Sequence, residues 1–583
     1  MPSPRSCAVI WTKRSPSESS IANSGRSDPS FDRFRSTRRH PLVLCSAFMS
    51  EADPPITDRD SVPTFEEGRW SVGFGEVWRQ AWPTVVSMTS YTVMGFIDAL
   101  MVARLGPTEF AAQGNGGLWS FLPISLIFGV LTVVNTFVSQ NVGAGRGVQT
   151  ARYGWAGLWL GVFAWLFLLL PWAVLLPTLF RLAGHEPALI DMEVEYAWIL
   201  LAGGVVLLGG KGMSHWFFGY QRPRVITVAA LTANVVNIVA NYIFIFGEEG
   251  LPAWGLPGVP GVPAMGLPGA AIGTVIGTTV ELLIPLAVFL GPRLAAETGS
   301  RRAWKPDLDA IRDLLRIGWP AAVQFGNEMA CWTIFTTVLI GSFGTDHMSA
   351  GWAVVRYMHL SFMPAVGFSV ATTSLVGKWI GAGRPDIAVS RVRIALTLAV
   401  GYMTVCAIVF LSARSSLVSV FIDDTVDPRT AANIIAIGSG MLVWAALFQT
   451  MDAVGIVYTG ALRGAGDTVW PGITTAVLSW TLLVGLGWFL VVRFPGLSSE
   501  GPWIAATAYI VLFGVVMAVR FERGGWRKID LLGDIQHEAA RHAPLGPAPP
   551  APDGSAVVRD MVEDQIQGPV GPGGPDSGGS STA

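Results

Sequence analysis

A chain of 583 residues that is 51% apolar and only 14% charged is too greasy for a soluble domain. Its formal charge of −2 is not concentrated in a binding stripe and is uninformative about partners, and no nucleic-acid partner is expected. The four cysteines, Cys7, Cys45, Cys331 and Cys406, lack metal-ligand spacing, and neither a disulfide framework nor a zinc site is expected.

Residues 1–70 are rich in Ser, Arg and Pro and hold no run long enough to cross a bilayer; they read as a disordered segment or one added upstream of a start at Met49. Twelve spans follow, since a crossing needs about 20 mainly apolar residues. They are expected at 79–103, 117–141, 153–178, 193–213, 225–246 and 269–291, then at 318–341, 351–377, 391–412, 434–459, 470–493 and 502–520. The domains are therefore an N-terminal six-helix lobe (71–291), a basic connector (292–317), a second lobe (318–522) and a Pro/Gly-rich tail (523–583) expected to be disordered.

The two lobes repeat one another. Trp82-Pro83 returns as Trp319-Pro320, and Gly143-Ala144-Gly145-Arg146 returns unchanged as Gly381-Ala382-Gly383-Arg384. Duplicated membrane halves commonly enclose a central cavity between them. Sixteen basic residues, Lys211 and Arg463 among them, fall on the side of the GAGR turns, against five on the other. The positive-inside rule then puts the turns and both termini in the cytoplasm. Six helices per half make the repeats parallel. The fold expected is thus all-α and polytopic, with twelve transmembrane helices in two six-helix lobes about a central cavity.

Three acids stand inside the slab: Asp98, Glu328 and Asp452. A carboxylate in hydrocarbon is costly and usually faces water, a cation or a basic partner. The bland alternative is pairing with Lys211 or Arg356. These acids break the internal symmetry, because Glu328 lies opposite Ser90 and Asp98 opposite Thr336 at the repeat offset of 238. Asn234, Asn237 and Asn241 share one helix face, where they either line the cavity or bond to neighbouring helices. Gln449 is a further cavity candidate. Pro123 and Pro364 are expected to kink their helices. Pro83 and Pro320 read as first-turn prolines, with a hinge as the alternative. Glu281 either faces the cavity or pairs across helices, and His215 and His359 read as packing groups. The Gly-Ala-Gly turns lack the GxxxxGK[ST] pattern and end helices rather than bind phosphate.

Met94-Gly95-Phe96-Ile97-Asp98, Gln449-Thr450-Met451-Asp452-Ala453-Val454, Phe362-Met363-Pro364-Ala365-Val366-Gly367-Phe368 and Gly460-Ala461-Leu462-Arg463-Gly464-Ala465-Gly466-Asp467-Thr468 resemble the multidrug and toxic compound extrusion (MATE) family, nearest its NorM-like bacterial branch. The resemblance covers residues 79 to 520. It implies a monomeric antiporter of the bacterial inner membrane that exports organic cations in exchange for Na⁺ or H⁺ and uses no other cofactor. It also implies cation or substrate binding at Asp98, Glu328 and Asp452, with Na⁺ at Glu328 and Asp452. Asn241 departs from the acid that many members carry late in helix 5. A lipid-linked substrate flippase is the nearby alternative, but its anionic substrates call for a basic cavity. A membrane enzyme finds no HExxH or GxSxG here, and an ATP-driven pump finds no nucleotide domain.

Overall fold

The computed structural model describes residues 70–182, 185–251, 255, 257–422 and 427–533. The expectations for residues 1–69 and 534–583, the Met49 start among them, fall outside these.

The first lobe contains α1 (Trp70–Val102), α2 (Pro107–Gly143), α3 (Gly147–Leu182), α4 (Pro187–Ala202), α5 (Gly204–Gly219), α6 (Pro223–Phe246) and α7 (Leu267–Phe289). After the short α8 (Pro292–Thr298) the second lobe contains α9 (Leu308–Ile334), α10 (Thr345–Gly381), α11 (Pro385–Ser412), the short α12 (Arg414–Ser419), α13 (Pro428–Gly464), α14 (Val469–Arg493) and α15 (Glu500–Glu522). Proline in the first turn opens α2, α6, α11 and α13, where its missing N–H costs nothing. Asp307 caps α9 through Ala310 N at 3.0 Å.

Ten of the described helices are long and apolar enough to cross a membrane, and α4 with α5, bent by 46° at Gly203, makes an eleventh. The twelfth is α9, which a wide π turn carries on through Phe335–Ile340. Gln324, Asn327 and Glu328 dilute its apolar character. The expected twelve-helix, two-lobe architecture holds.

Several helices run beyond their expected ends. α1 starts at Trp70 and α9 at Leu308, so Pro83 and Pro320 sit well inside their helices rather than in first turns, and the connector closes at 307 rather than 317. α2 and α10 continue through Pro123 and Pro364 as single helices of 37 residues, with no break at either proline.

The early starts have a purpose in packing. Val77 and Ala81 of α1 are buried in the core of the second lobe. Ala310, Ile311 and Leu314 of α9 are buried in the core of the first. Each lobe has taken in the opening turns of the other's leading helix. The polar groups follow the same exchange. Glu76 receives Arg391 Nε at 2.6 Å and Lys378 Nζ at 2.8 Å. At repeat-related positions, the Tyr153 hydroxyl donates to Asp313 at 3.3 Å.

The GAGR turns form as expected. Gly145 and Gly383 both take φ +70°, and the Arg146 and Arg384 amides each bond back to a helix carbonyl at 2.8 Å. The two turns pack backbone against backbone. A Cβ on Gly143 would lie 1.8 Å from the Lys378 carbonyl oxygen, and one on Gly381 would lie 2.0 Å from that of Gln140. Gln140 Nε2 donates to the Gly464 carbonyl at 3.0 Å, and Thr136 Oγ1 to that of Arg463 at 2.9 Å. Among the described residues, hydrogen bonds between the lobes are confined to this half of the molecule.

Candidate functional site: two separate acidic centres

The structure distributes the three acids between the lobes. Asp98 lies one turn before the end of α1, 8% exposed, against α6. Asn241 Nδ2 donates to Asp98 Oδ1 at 2.6 Å. Asn237, one turn earlier on α6, is fully buried with its side chain directed at the same carboxylate, and its amide oxygen has no hydrogen-bond partner. The Asn241 amide oxygen is likewise without one. Buried polar atoms are rarely left unmatched, so a carboxylate beside unmatched amide oxygens has the donor chemistry of a site for a hard cation.

Glycines of α7 make this centre. A Cβ on Gly273 would stand 2.0 Å from Asn241 Oδ1, one on Gly277 2.7 Å from Asn237 Cβ, and one on Gly269 2.4 Å from the Phe244 carbonyl oxygen. The stripe lets α6 and α7 approach until the asparagines reach Asp98. Its i, i+4, i+8 spacing is a small-residue packing signal readable in the sequence.

The second centre lies in the other lobe. Glu328 of α9 and Asp452 of α13 are both partly exposed and within electrostatic range of one another, and buried Tyr509 of α15 lies within range of both. Gln324 Nε2 reaches Glu328 Oε1 at 3.5 Å and Thr475 Oγ1 at 3.3 Å. Asn327 bonds Ser479 Oγ at 2.8 Å and accepts from Trp480 Nε1 at 2.8 Å, which fixes the face of α9 that carries Glu328. Arg463 is the cation whose field reaches Glu328.

Among the described residues none of the three acids makes an ion pair within 4.0 Å. Lys211 is taken by Glu281 at 3.0 Å, and Arg356 is exposed. Lys211 therefore does not belong with the loop charges where the sequence count placed it.

Other candidates turn out to hold helices together. Asn234 donates to the Ser90 carbonyl at 2.8 Å and to its hydroxyl, and Gln449, 1% exposed, donates to Ser361 Oγ at 2.5 Å. Both make interhelical bonds, Gln449 fully inside the packing and Asn234 at a partly exposed position. Sequence reasoning missed Glu193 of α4, fully buried, which accepts from Asn115 Nδ2 at 2.7 Å and pairs with His185 Nδ1 at 2.8 Å. It also missed Glu76, whose polar neighbourhood hid the start of α1.

A polytopic helical fold of two repeated lobes, with unpaired acids held at depth in each, defines a membrane transporter. The MatE family model matches residues 83–243 and 320–489, one segment in each lobe. A probable multidrug resistance protein NorM of Deinococcus radiodurans is 31% identical over 449 residues, covering 76% of this chain and 94% of its own. Its counterpart in Mesorhizobium japonicum is 28% identical over 465 residues, covering 77% and 95%. Among solved structures, a MOP superfamily transporter from Pyrococcus furiosus superposes with a TM-score of 0.70 at 20% identity, over 78% of this chain and 97% of that one. A multidrug resistance MATE family transporter in its outward-facing conformation gives 0.69 at 20%, over 78% and 97%. The chain belongs to the MATE family and is a NorM-like multi-pass transporter.

Proposed function

We propose that the chain is a secondary active antiporter that exports organic cations and other drugs from the cytoplasm in exchange for Na⁺ or H⁺. The observation that carries this reading is the set of three carboxylates at membrane depth, Asp98, Glu328 and Asp452, with no ion-pair partner among the described residues. A lone acid in an apolar medium is stabilised by binding a cation or a proton. Glu328 lies within electrostatic range of Asp452, and two carboxylates that feel one another raise each other's demand for positive charge. Na⁺ or a proton held there competes with an organic cation for the same field, and that competition is exchange. The multidrug resistance names of the relatives support drug export as the direction of transport.

The driving force is inward cation flow, worth about 2.3 kcal/mol per charge per 100 mV of membrane potential. The protein acts as a monomer in the bacterial inner membrane, with the GAGR turns and both termini on the cytoplasmic side. The two lobes rock to expose the acids to one side at a time.

Efflux of ethidium from reconstituted vesicles, under separately imposed Na⁺ and H⁺ gradients, tests this. Wild-type protein is expected to respond to one gradient, and Asp452→Asn to lose that response while remaining folded. Ion-driven efflux unchanged in Asp452→Asn would remove the assignment.

A further inference from the structure

The first lobe holds a charged cluster apart from Asp98. Lys211 of α5 donates through Nζ to Glu281 Oε1 of α7 at 3.0 Å, and the Tyr91 hydroxyl of α1 donates to the same oxygen at 2.6 Å. The ammonium also stands over the Tyr91 ring, 3.6 Å from its centroid. Oε2 of Glu281 lies outside both bonds.

An aromatic face and a buried carboxylate converging on one positive nitrogen is the chemistry by which proteins hold organic ammonium ions. Here the nitrogen belongs to the chain. It is loosely held for a charge at this depth: among the described residues Nζ makes one hydrogen bond from three N–H groups, and the side chain is 16% exposed against 4% for Glu281. A purely structural ion pair in an apolar interior is stable only when its remaining donors are matched as well. One turn along α5, His215 Nδ1 is buried without a partner, and its ring packs 5.8 Å from Phe128, which meets Phe325 of the other lobe at 5.3 Å. The polar groups thus lead from the cluster to an aromatic seam between the lobes.

We propose that Tyr91 and Glu281 form a binding site for a hydrophobic organic cation, and that the Lys211 ammonium is a resident substitute which that cation displaces. The site rests on the cation-export reading above and adds to it a first-lobe locus apart from Asp98. Displacement conserves charge, so Glu281 is never left unpaired: one positive nitrogen leaves as another arrives.

Equilibrium binding of ethidium to the purified full chain in detergent, with no ion gradient, tests the site. Lys211→Met removes the competitor and is expected to tighten binding at least about fivefold, while Glu281→Gln weakens it by a similar factor. Tyr91→Phe, which keeps the ring, should bind as wild type does, and Tyr91→Leu should lose at least about fivefold. A folded Lys211→Met with unchanged or weaker affinity overturns the proposal. Should Lys211→Met not fold, the Tyr91 variants, which leave the ion pair intact, decide: equal affinities in both overturn it. No binding by the wild-type chain would instead overturn the export reading itself.

Discussion

Replacing Gly273 with alanine tests how the Asp98 centre is held. The added methyl would lie 2.0 Å from Asn241 Oδ1 and 2.9 Å from the Asn241 backbone nitrogen, where carbon needs about 3.4 Å to either. Either α6 and α7 separate or the Asn241 side chain turns away, and both break its 2.6 Å bond to Asp98. Overpacking of this kind costs about 1–3 kcal/mol in stability. A hydrogen bond to a charged group is worth about 1.5–3 kcal/mol, so the cation concentration that half-saturates efflux should shift by roughly 10- to 150-fold. Vesicle efflux titrated with the coupling ion reads the second quantity, and thermal unfolding in detergent reads the first. Asn241→Ala removes the oxygen that the methyl strikes. If the effect passes through that side chain, Gly273→Ala added to Asn241→Ala should change cation dependence no further. Additive shifts in cation dependence would refute the reasoning.

Two further outcomes follow from the closed end of the molecule. Glu76→Gln removes the carboxylate that Arg391, 1% exposed, shares with Lys378 and should lower stability by about 3–5 kcal/mol in thermal unfolding; a loss under about 1 kcal/mol would show that the ion pair contributes little. Gly143→Ala presses a methyl onto the Lys378 carbonyl oxygen and should shift the lobes toward separation by roughly 5- to 150-fold. A thiol placed at fully buried Ser374, with the native cysteines replaced, should then label faster by a similar factor, and an unchanged rate would mean that the turns yield without parting the lobes.

Much of the architecture was legible because hydrocarbon imposes it. Long apolar runs could become nothing but helices, and duplicated punctuation announced duplicated lobes. The opening turns of α1 and α9 were hidden for the same reason: Glu76, Arg79 and Gln80, or Asp309, Arg312 and Asp313, interrupt the apolar run while α1 and α9 continue through them. The depth of Asp98, Glu328 and Asp452 was readable, but their surroundings were not. Asn241 meets Asp98 across 143 residues of chain, a pairing that no local pattern encodes. Lys211 was counted with the loop charges because a sequence tally carries no depth, whereas packing sets it against Glu281. The stripe of Gly269, Gly273 and Gly277 was in plain view, and its spacing held the information that α6 and α7 pack without a gap.

The swapped helix starts restrict how the protein can move. With Val77 and Ala81 anchored in one half, and Ala310 and Leu314 in the other, neither half can swivel as an independent block. Any rotation must be taken up where each leading helix crosses from its host core to its own. Pro83 and Pro320 stand inside these leading helices, and their rings delete one rung from each backbone ladder. The duplicated Trp-Pro pair therefore thins the backbone ladder of both leading helices at matched positions.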